Sequence, residues 1–319
     1  MKSSLKSSLK SGADRLLEGA MWVLCRAITI APYWFQYYVL QEVIYFVLRY
    51  VVRYRRRLIV GQLSSAFPDK SSSEVEEICN KYYRSLAEMF VNTLTLAGLT
   101  DEQRAERVEF DTPEGMDRAM SGRNIVVLTS HFGFWEYASF AYLRFAKHHL
   151  LVAYHPLKNS AWNNFYYRIR KMKRVEPVSS KMYMRAFVNH RHGIDGNNLI
   201  LGLIADQNCP PTKGCKWHRF LNHDTLFYDG GEQLAMKFGM PVYYLAMEPI
   251  KRGRYRCRFV QIYDGEESVP SGEITSRYAQ LLEQSIVAQP EYWMWSHNRW
   301  KFARWEDSEL YVPQQRIVE

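Results

Sequence analysis

An apolar run of four residues, Ile125 to Leu128, most constrains how this chain can fold. β-Branched residues dominate the run and no polar residue interrupts it, which is typical of a strand buried on both faces of a parallel sheet. The polar residues Thr129 and Ser130 end it. Beyond Gly133, apolar residues recur at helical spacing to about Ala146. The stretch therefore predicts a buried strand, a tight turn and a helix.

Two ionisable side chains, His131 and Glu136, lie at this strand-to-helix junction. On an ideal helix, five residues separate two side chains by about 140°, so the two would not meet if both were helical. If His131 precedes the first turn, Gly133 permits a chain reversal, and Glu136 can accept a hydrogen bond from one imidazole nitrogen. The other nitrogen remains available as a base. Spacing alone leaves a structural alternative equally open, in which His131 caps the helix and Glu136 is a first-turn acid.

A base without a protein nucleophile favours activation of a substrate hydroxyl. The pairing of an imidazole with a carboxylate follows the logic of the base and its orienting acid in serine hydrolases. However, no G-x-S-x-G motif accompanies His131. The pattern therefore indicates group-transfer chemistry.

The segment SHFGFWE, Ser130 to Glu136, resembles the H-x-x-x-x-D/E motif of glycerolipid acyltransferases. It closely resembles the H-F-G-N-W-E form found in bacterial lipid A late acyltransferases, with Phe134 in place of the usual Asn. Four later segments resemble the same family in the same order. They are YHPLKN (154–159), ADQN (205–208), GEQLAMKFGMPVYYLAME (231–248) and SHNRWK (296–301). The resemblance covers most of the chain from about Tyr54 onward.

The resemblance implies an O-acyltransferase of lipid A and lipopolysaccharide biosynthesis, bound to the cytoplasmic face of the inner membrane. The implied donor is an acyl-carrier-protein thioester and the implied acceptor is a hydroxyl of a lipid A precursor. His131 would be the general base and Glu136 its orienting acid. We expect no cofactor, because the thioester is already activated. Two alternatives stay open: a lysophospholipid, glycolipid or aminolipid acceptor, and a non-catalytic basic peripheral membrane protein.

Two polar segments that follow predicted strands are candidates for substrate binding, because α/β proteins bind ligands at the carboxyl ends of their strands. The candidates are Tyr154, His155, Lys158 and Asn159 after the strand 150–154, and Asp206, Gln207 and Asn208 after the strand 199–204. The similar family usually has Arg where this chain has His155, so the resemblance leaves a permanent charge there in doubt, and Lys158 could supply it. The local alternatives are a helix-capping turn at 158–159 and an ordinary turn at 206–208.

Alternating strands and helices predict an α/β fold, with a mostly parallel central sheet flanked by helices. We expect amphipathic helices over 55–99 that are split near Pro68, another over 162–173, and a loop over 210–229. The helix over 162–173 carries a basic face of Arg168, Arg170, Lys171 and Lys173. That face suits a phosphorylated sugar, an acidic carrier protein or an anionic lipid, but it is also typical of an ordinary solvated face.

Residues 1–52 predict a membrane-associated helical element, and residues 53–319 the acyltransferase domain. Neither 16–30 nor 33–52 contains about twenty uninterrupted apolar residues, so an interfacial helix or helical hairpin is favoured over a single span. A soluble hairpin is the simplest alternative. Most of the net charge of +9 lies within residues 1–60, where it would attract anionic headgroups. No nucleic-acid-binding module is recognisable, so we expect no nucleic acid partner.

Aromatic residues and cysteines add two expectations. Aromatic residues make up 15% of the chain, including nine Trp, which fits contact with a lipid interface or a large aromatic core. Five scattered cysteines are typical of a reducing compartment. Cys209, Cys215, His218 and His223 loosely resemble a zinc ligand set, but their spacing lacks the usual close Cys pair, so we expect no metal site.

Overall fold

A mixed sheet organises the computed structural model, which describes residues 2–143, 148–211 and 214–302. The strands are β1 (Val108–Asp111), β2 (Ile125–Thr129), β3 (His148–Tyr154), β4 (Val175–Ser179), β5 (Asn198–Ile204), β6 (Cys215–Phe220), β7 (His223–Tyr228), β8 (Val242–Lys251) and β9 (Arg254–Tyr263). The main sheet has the strand order β1-β9-β8-β2-β5-β3-β4, and its strands pair in parallel except for β8 with β9. The predicted mostly parallel α/β sheet is confirmed.

Helices cover both faces of this sheet. They are α1 (Lys2–Ile30), α2 (Gln41–Phe46), α3 (Arg56–Ala66), α4 (Ser72–Gly98), α5 (Asp101–Ala105), α6 (Met116–Ala119), α7 (Ser160–Arg170), α8 (Tyr183–His190), α9 (Gly230–Phe238) and α10 (Glu273–Ala288). Short π-helical turns span Phe35–Leu40 and Val47–Val51, and 3-10 turns span Trp135–Leu143 and Pro290–Tyr292. The predicted break near Pro68 separates α3 from α4. Ser71 and Glu74 form a capping box at the start of α4.

The central strand β2 explains the two-sided core. All five of its residues are buried, and alternate side chains point to opposite faces of the sheet. Val126 and Leu128 belong to one hydrophobic cluster, while Ile125 and Val127 belong to the other. The apolar run that opened the sequence analysis is therefore a fully covered parallel strand, as predicted.

The segment 210–229 corrects one prediction. The expected loop is wrong, because β6 and β7 form an antiparallel hairpin there. Leu221 and Asn222 make the turn, with φ angles of 47° and 64°. Such a turn normally carries Asn-Gly or Asp-Gly, so a Leu at the first position hides it from sequence analysis. The sequence analysis also missed β4 and α8.

Residues 16–52 pack against α4 through hydrogen bonds from Thr29 and Tyr37. Thr29 Oγ1 donates to the Thr95 carbonyl on α4 at 3.0 Å, and the Tyr37 hydroxyl donates to Asn92 Oδ1 at 2.8 Å. Many apolar side chains on this element nevertheless remain exposed, including Trp34 (59%) and Phe46 (57%). Among the described residues, we find no helix whose length and apolar character would let it cross a bilayer. The division of the chain at residue 52 and the membrane association stay predictions.

The cysteines show a pair that their spacing did not predict. Cys209 and Cys215 are joined as a disulfide beside β6, whereas Cys25, Cys79 and Cys257 are free and buried. Within the described ranges, no cluster of His, Cys, Asp or Glu is arranged to hold a metal ion. The reducing compartment stays a prediction.

Candidate active site

The site lies where two neighbouring parallel strands end. Strands β2 and β5 pair in register, with Thr129 opposite Ile204. His131 and Asp206 each lie two residues beyond these partners, so the register brings them together. The main-chain N–H of His131 donates to Asp206 Oδ2 at 2.9 Å, and His131 Nδ1 lies 2.7 Å from Asp206 Oδ1. The expected position of Asp206 at the same sheet edge as His131 is confirmed, whereas their direct contact was not predicted.

The Asp206 carboxyl group is held as a carboxylate. Its residue is only 2% exposed, and burial by itself raises its pKa. Attraction to His131 in its protonated form and the hydrogen bonds from His131 and Trp293 outweigh that effect, so the pKa of Asp206 is lowered. The Trp293 Nε1–H donates to Oδ2 at 2.8 Å. A carboxylate only accepts hydrogen bonds, so Nδ1 of His131 carries a proton, and whenever the ring holds a single proton Nε2 keeps its lone pair.

The Nε2 atom of His131 faces an amide. Gln207 Nε2 lies 3.0 Å away and donates to this lone pair. The ring of Trp135 packs edge-on against the imidazole, with centroids 4.7 Å apart. A crevice beside the imidazole is lined by Tyr82 and Met89 of α4 and by Tyr292 and Met294 near the C-terminus. Its volume of about 10 Å³ accommodates about one water molecule.

Glu136 lies at a different place from the one predicted. Its carboxylate accepts from Arg170 Nε at 2.8 Å and also from Arg170 Nη2. The side chains of Glu136 and Arg170 are 7% and 20% exposed. Burial lowers the pKa of Arg170, but the charge of Glu136 outweighs burial and raises it. The predicted hydrogen bond between His131 and Glu136 is wrong, because Asp206 occupies that position.

The helix that carries Glu136 also differs from the prediction. Gly133 makes the turn with φ +61°, as expected, but the following segment, Trp135–Leu143, is a 3-10 helix instead of an α-helix. Three residues per turn place successive side chains about 120° apart. Trp135 therefore packs on the imidazole while Glu136 points to α7. Residues 144–147, to which the predicted helix extended, lie outside the described residues.

The candidates after β3 share this edge of the sheet, because β3 pairs in parallel with β5. Tyr154 is half-buried beside Tyr167, with ring centroids 6.5 Å apart, whereas His155 and Lys158 are exposed. Asn159 is the N-cap of α7, since its Oδ1 accepts from the Trp162 N–H at 3.1 Å. The capping alternative is therefore confirmed for Asn159. The substrate-binding roles expected of this segment stay predictions.

The C-terminal segment supplies the contacts that sequence reasoning missed. The Gly133 N–H donates to the Tyr292 carbonyl at 2.9 Å, and the Met294 N–H donates to the His131 carbonyl at 3.1 Å. The main-chain N–H of Asn208 donates to His297 Nε2 at 3.2 Å. Burial lowers the pKa of His297 to about 4, which keeps this imidazole neutral as an acceptor. The resemblance of SHNRWK (296–301) to a family motif was the available signal, but it did not indicate where this segment lies in the fold.

Comparison with known proteins agrees with the resemblance. A family model described as bacterial lipid A biosynthesis acyltransferase matches residues 16–302, which is most of the chain. No curated protein matches the chain significantly.

Proposed function

Since the chain belongs to the bacterial lipid A biosynthesis acyltransferase family, we propose that it transfers a fatty acyl group from an acyl-carrier-protein thioester to a hydroxyl of a lipid A precursor. The observation that carries the proposed mechanism is the 2.7 Å contact between His131 Nδ1 and Asp206 Oδ1. It leaves Nε2 unprotonated, which a general base requires. In this proposal Asp206 takes the orienting role first expected of Glu136.

In the proposed reaction, the acceptor hydroxyl replaces the Gln207 amide at Nε2 of His131. The base removes the hydroxyl proton as the oxygen attacks the thioester carbonyl. The tetrahedral intermediate then expels the carrier thiolate, which takes the proton from the imidazolium. Asp206 remains ionised and stabilises the imidazolium, as in serine hydrolases. General-base catalysis of this kind contributes about 10²- to 10⁴-fold in rate.

Glu136 has a supporting role in this scheme. Its ion pair with Arg170 ties the 3-10 helix that follows the His131 turn to the last turn of α7. Because α7 begins directly after Asn159, this pair also fixes the segment that carries His155 and Lys158. Lys158 offers positive charge, and His155 a ring N–H, to the phosphates of an acceptor headgroup.

We further propose that the element of residues 1–52 attaches the enzyme to the cytoplasmic face of the inner membrane. Support comes from the exposed apolar and aromatic side chains of this element and from the arginines that follow it at 53 and 55–57. Aromatic side chains favour the headgroup level, and arginines favour anionic lipid. Such attachment would bring the sheet edge close to a lipid acceptor.

Mass spectrometry of lipid products tests the proposal. Purified wild-type protein is incubated with acyl-carrier-protein thioesters and a panel containing tetraacylated lipid A precursor and lysophospholipids. We expect acylated precursor from the wild type and about 10²- to 10⁴-fold less from His131→Gln and Asp206→Asn. His190→Gln, which changes an exposed histidine of α8, is the matched control and should retain activity.

The outcomes separate the parts of the proposal. Full activity in His131→Gln would overturn the mechanism. A product formed only from lysophospholipid would keep the mechanism and replace the acceptor. The absence of product with every acceptor would refute the proposed transfer and favour the non-catalytic alternative.

A further inference from the structure

We propose that Trp293 is a positioning residue, whose indole N–H and the main-chain N–H of His131 together fix the rotation of the Asp206 carboxylate, so that an acceptor oxygen faces Nδ1 of His131 and sets the tautomer of the imidazole. The inference rests on the proposed function in one respect: the tautomer matters for catalysis because His131 is the proposed base. Its structural content concerns the resting protein. The indole N–H of Trp293 is donated to Asp206, so Trp293 acts on His131 through this carboxylate.

The two oxygens of the Asp206 carboxylate have different hydrogen-bond partners. Oδ2 accepts from Trp293 Nε1 at 2.8 Å and from the main-chain N–H of His131 at 2.9 Å. Oδ1 is thereby left to face His131 Nδ1 at 2.7 Å. Asp206 follows β5 in a turn, where the main chain does not by itself fix the rotation of a carboxyl group. The two donors on Oδ2 therefore fix that rotation.

The indole of Trp293 is itself enclosed by other side chains. The residue is buried and packs among the rings of Phe220, Trp295 and Trp300, with centroids 5.8, 4.8 and 6.1 Å away. Edge-on contacts of this kind favour one ring orientation over others. The rings thus hold the Nε1–H toward Asp206.

The main chain of Trp293 is also joined to the catalytic turn. Phe132 and Trp293 form an isolated antiparallel bridge. The hydrogen bonds from Gly133 to Tyr292 and from Met294 to His131 flank this bridge. Residues 292–294 are therefore tied to the His131 turn by main-chain hydrogen bonds, which hold the indole of Trp293 beside Asp206.

Trp293→Phe removes the N–H and keeps most of the ring. Trp295→Phe is the matched control, because Trp295 is equally buried and packs on Trp293, but its Nε1–H donates to the Pro290 carbonyl. We expect Trp293→Phe to lower kcat about 10- to 100-fold with little change in KM, the range for a hydrogen bond to a charged group. Trp295→Phe should leave kcat within a few-fold of wild type.

Nitrogen NMR of ¹⁵N-histidine-labelled protein gives a readout that does not need activity. The His131 signals are assigned by their loss in His131→Gln. In the wild type we expect Nδ1 to be protonated and Nε2 to be the bare nitrogen. Trp293→Phe should give a mixture of tautomers, whereas Trp295→Phe should keep the wild-type tautomer.

Asp206→Asn provides a second test in which Trp293 is intact. If the two donors fix the Oδ2 position, the amide oxygen of the substituted side chain must occupy it. The amide NH₂ then faces Nδ1, which inverts the tautomer and places the proton on Nε2. Wild-type signals in Trp293→Phe, or an uninverted tautomer in Asp206→Asn, would overturn the proposal. A tautomer that shifts as expected in a protein without transferase activity would keep this inference and refute the proposed function.

Discussion

Replacing Glu136 by Gln should lower the stability of the protein and leave His131 able to act as the base. The pair of Glu136 and Arg170 is largely buried, and each oxygen of the carboxylate accepts from the guanidinium. Removing one partner of a buried ion pair typically costs about 3 to 5 kcal/mol, because the other charge is left buried without compensation. Arg170 retains one-fifth of its side-chain exposure and Gln still accepts one hydrogen bond. We therefore expect a loss of about 2 to 4 kcal/mol in the free energy of unfolding.

A double-mutant cycle isolates the pair. The variants are Glu136→Gln, Arg170→Met and the two combined, with urea unfolding followed by tryptophan fluorescence and by circular dichroism. Coincident transitions by the two probes establish the two-state behaviour that the cycle needs. We expect the double variant to be less destabilised than the sum of the single variants, by about 1 to 3 kcal/mol, since it leaves no unpaired buried charge.

The same variants separate two assignments of the orienting acid. With Asp206 as the partner of His131, Glu136→Gln should keep the pH dependence of the turnover rate under conditions where it is folded. Asp206→Asn should lose turnover while keeping the interaction energy of the Glu136–Arg170 pair. A Glu136→Gln protein with wild-type unfolding energy and activity as low as that of His131→Gln would refute this reasoning and restore Glu136 as the orienter.

Two further predictions concern acid stability and membrane binding. Burial lowers the pKa of His297 from 6.5 to about 4, so the unfolded chain binds a proton before the folded protein does, and stability should fall as the pH drops from 6.5 to 4. His297→Asn cannot titrate, so its unfolding temperature should fall less over that window; an equal fall in both proteins would contradict the assignment. Trp34→Ser and Phe46→Ser should weaken cosedimentation with anionic phospholipid vesicles about tenfold or more each, since a buried large apolar side chain contributes about 1.5 to 3 kcal/mol. Leu157→Ser, which changes an exposed residue outside that element, is the control, and a wild-type protein that stays in the supernatant would refute the attachment.

The sequence predicted the strands that carry the site but not which of them pair with each other in the sheet. The apolar runs of β2 and β5 and the polar residues that follow them were read correctly, so His131 and Asp206 were both expected at the carboxyl edge. Strand order decides which groups touch, and β3 and β4 lie between these two strands in the chain. That β2 pairs directly with β5 is a property of the whole sheet. Asp206 was therefore predicted as a binding residue and not as the partner of His131.

The misplaced Glu136 has a local cause. Apolar spacing after Gly133 fits a helical period, but it does not distinguish an α-helix from the 3-10 helix that forms. With a turn of three residues, Trp135 reaches the imidazole and Glu136 reaches α7. Arg170 was expected on a basic helix face that either binds a negatively charged ligand or is simply exposed to solvent. Its burial depends on Glu136, which is 34 residues away in the chain.

The need to satisfy a buried carboxylate explains why the site extends beyond its short motif. A carboxylate removed from water is tolerated only where donors surround it, and Asp206 is almost fully buried. Its donors come from outside its own turn, from His131 beyond β2 and from Trp293, 87 residues further along the chain. His297 accepts a hydrogen bond from the main-chain N–H of Asn208, two residues after Asp206. Trp293 and His297 therefore hold the segment 206–208 at two points. The base depends on Trp293 and His297 as well as on the motif that contains it, and changes at these two residues should therefore affect turnover even though they lie far from His131 in sequence.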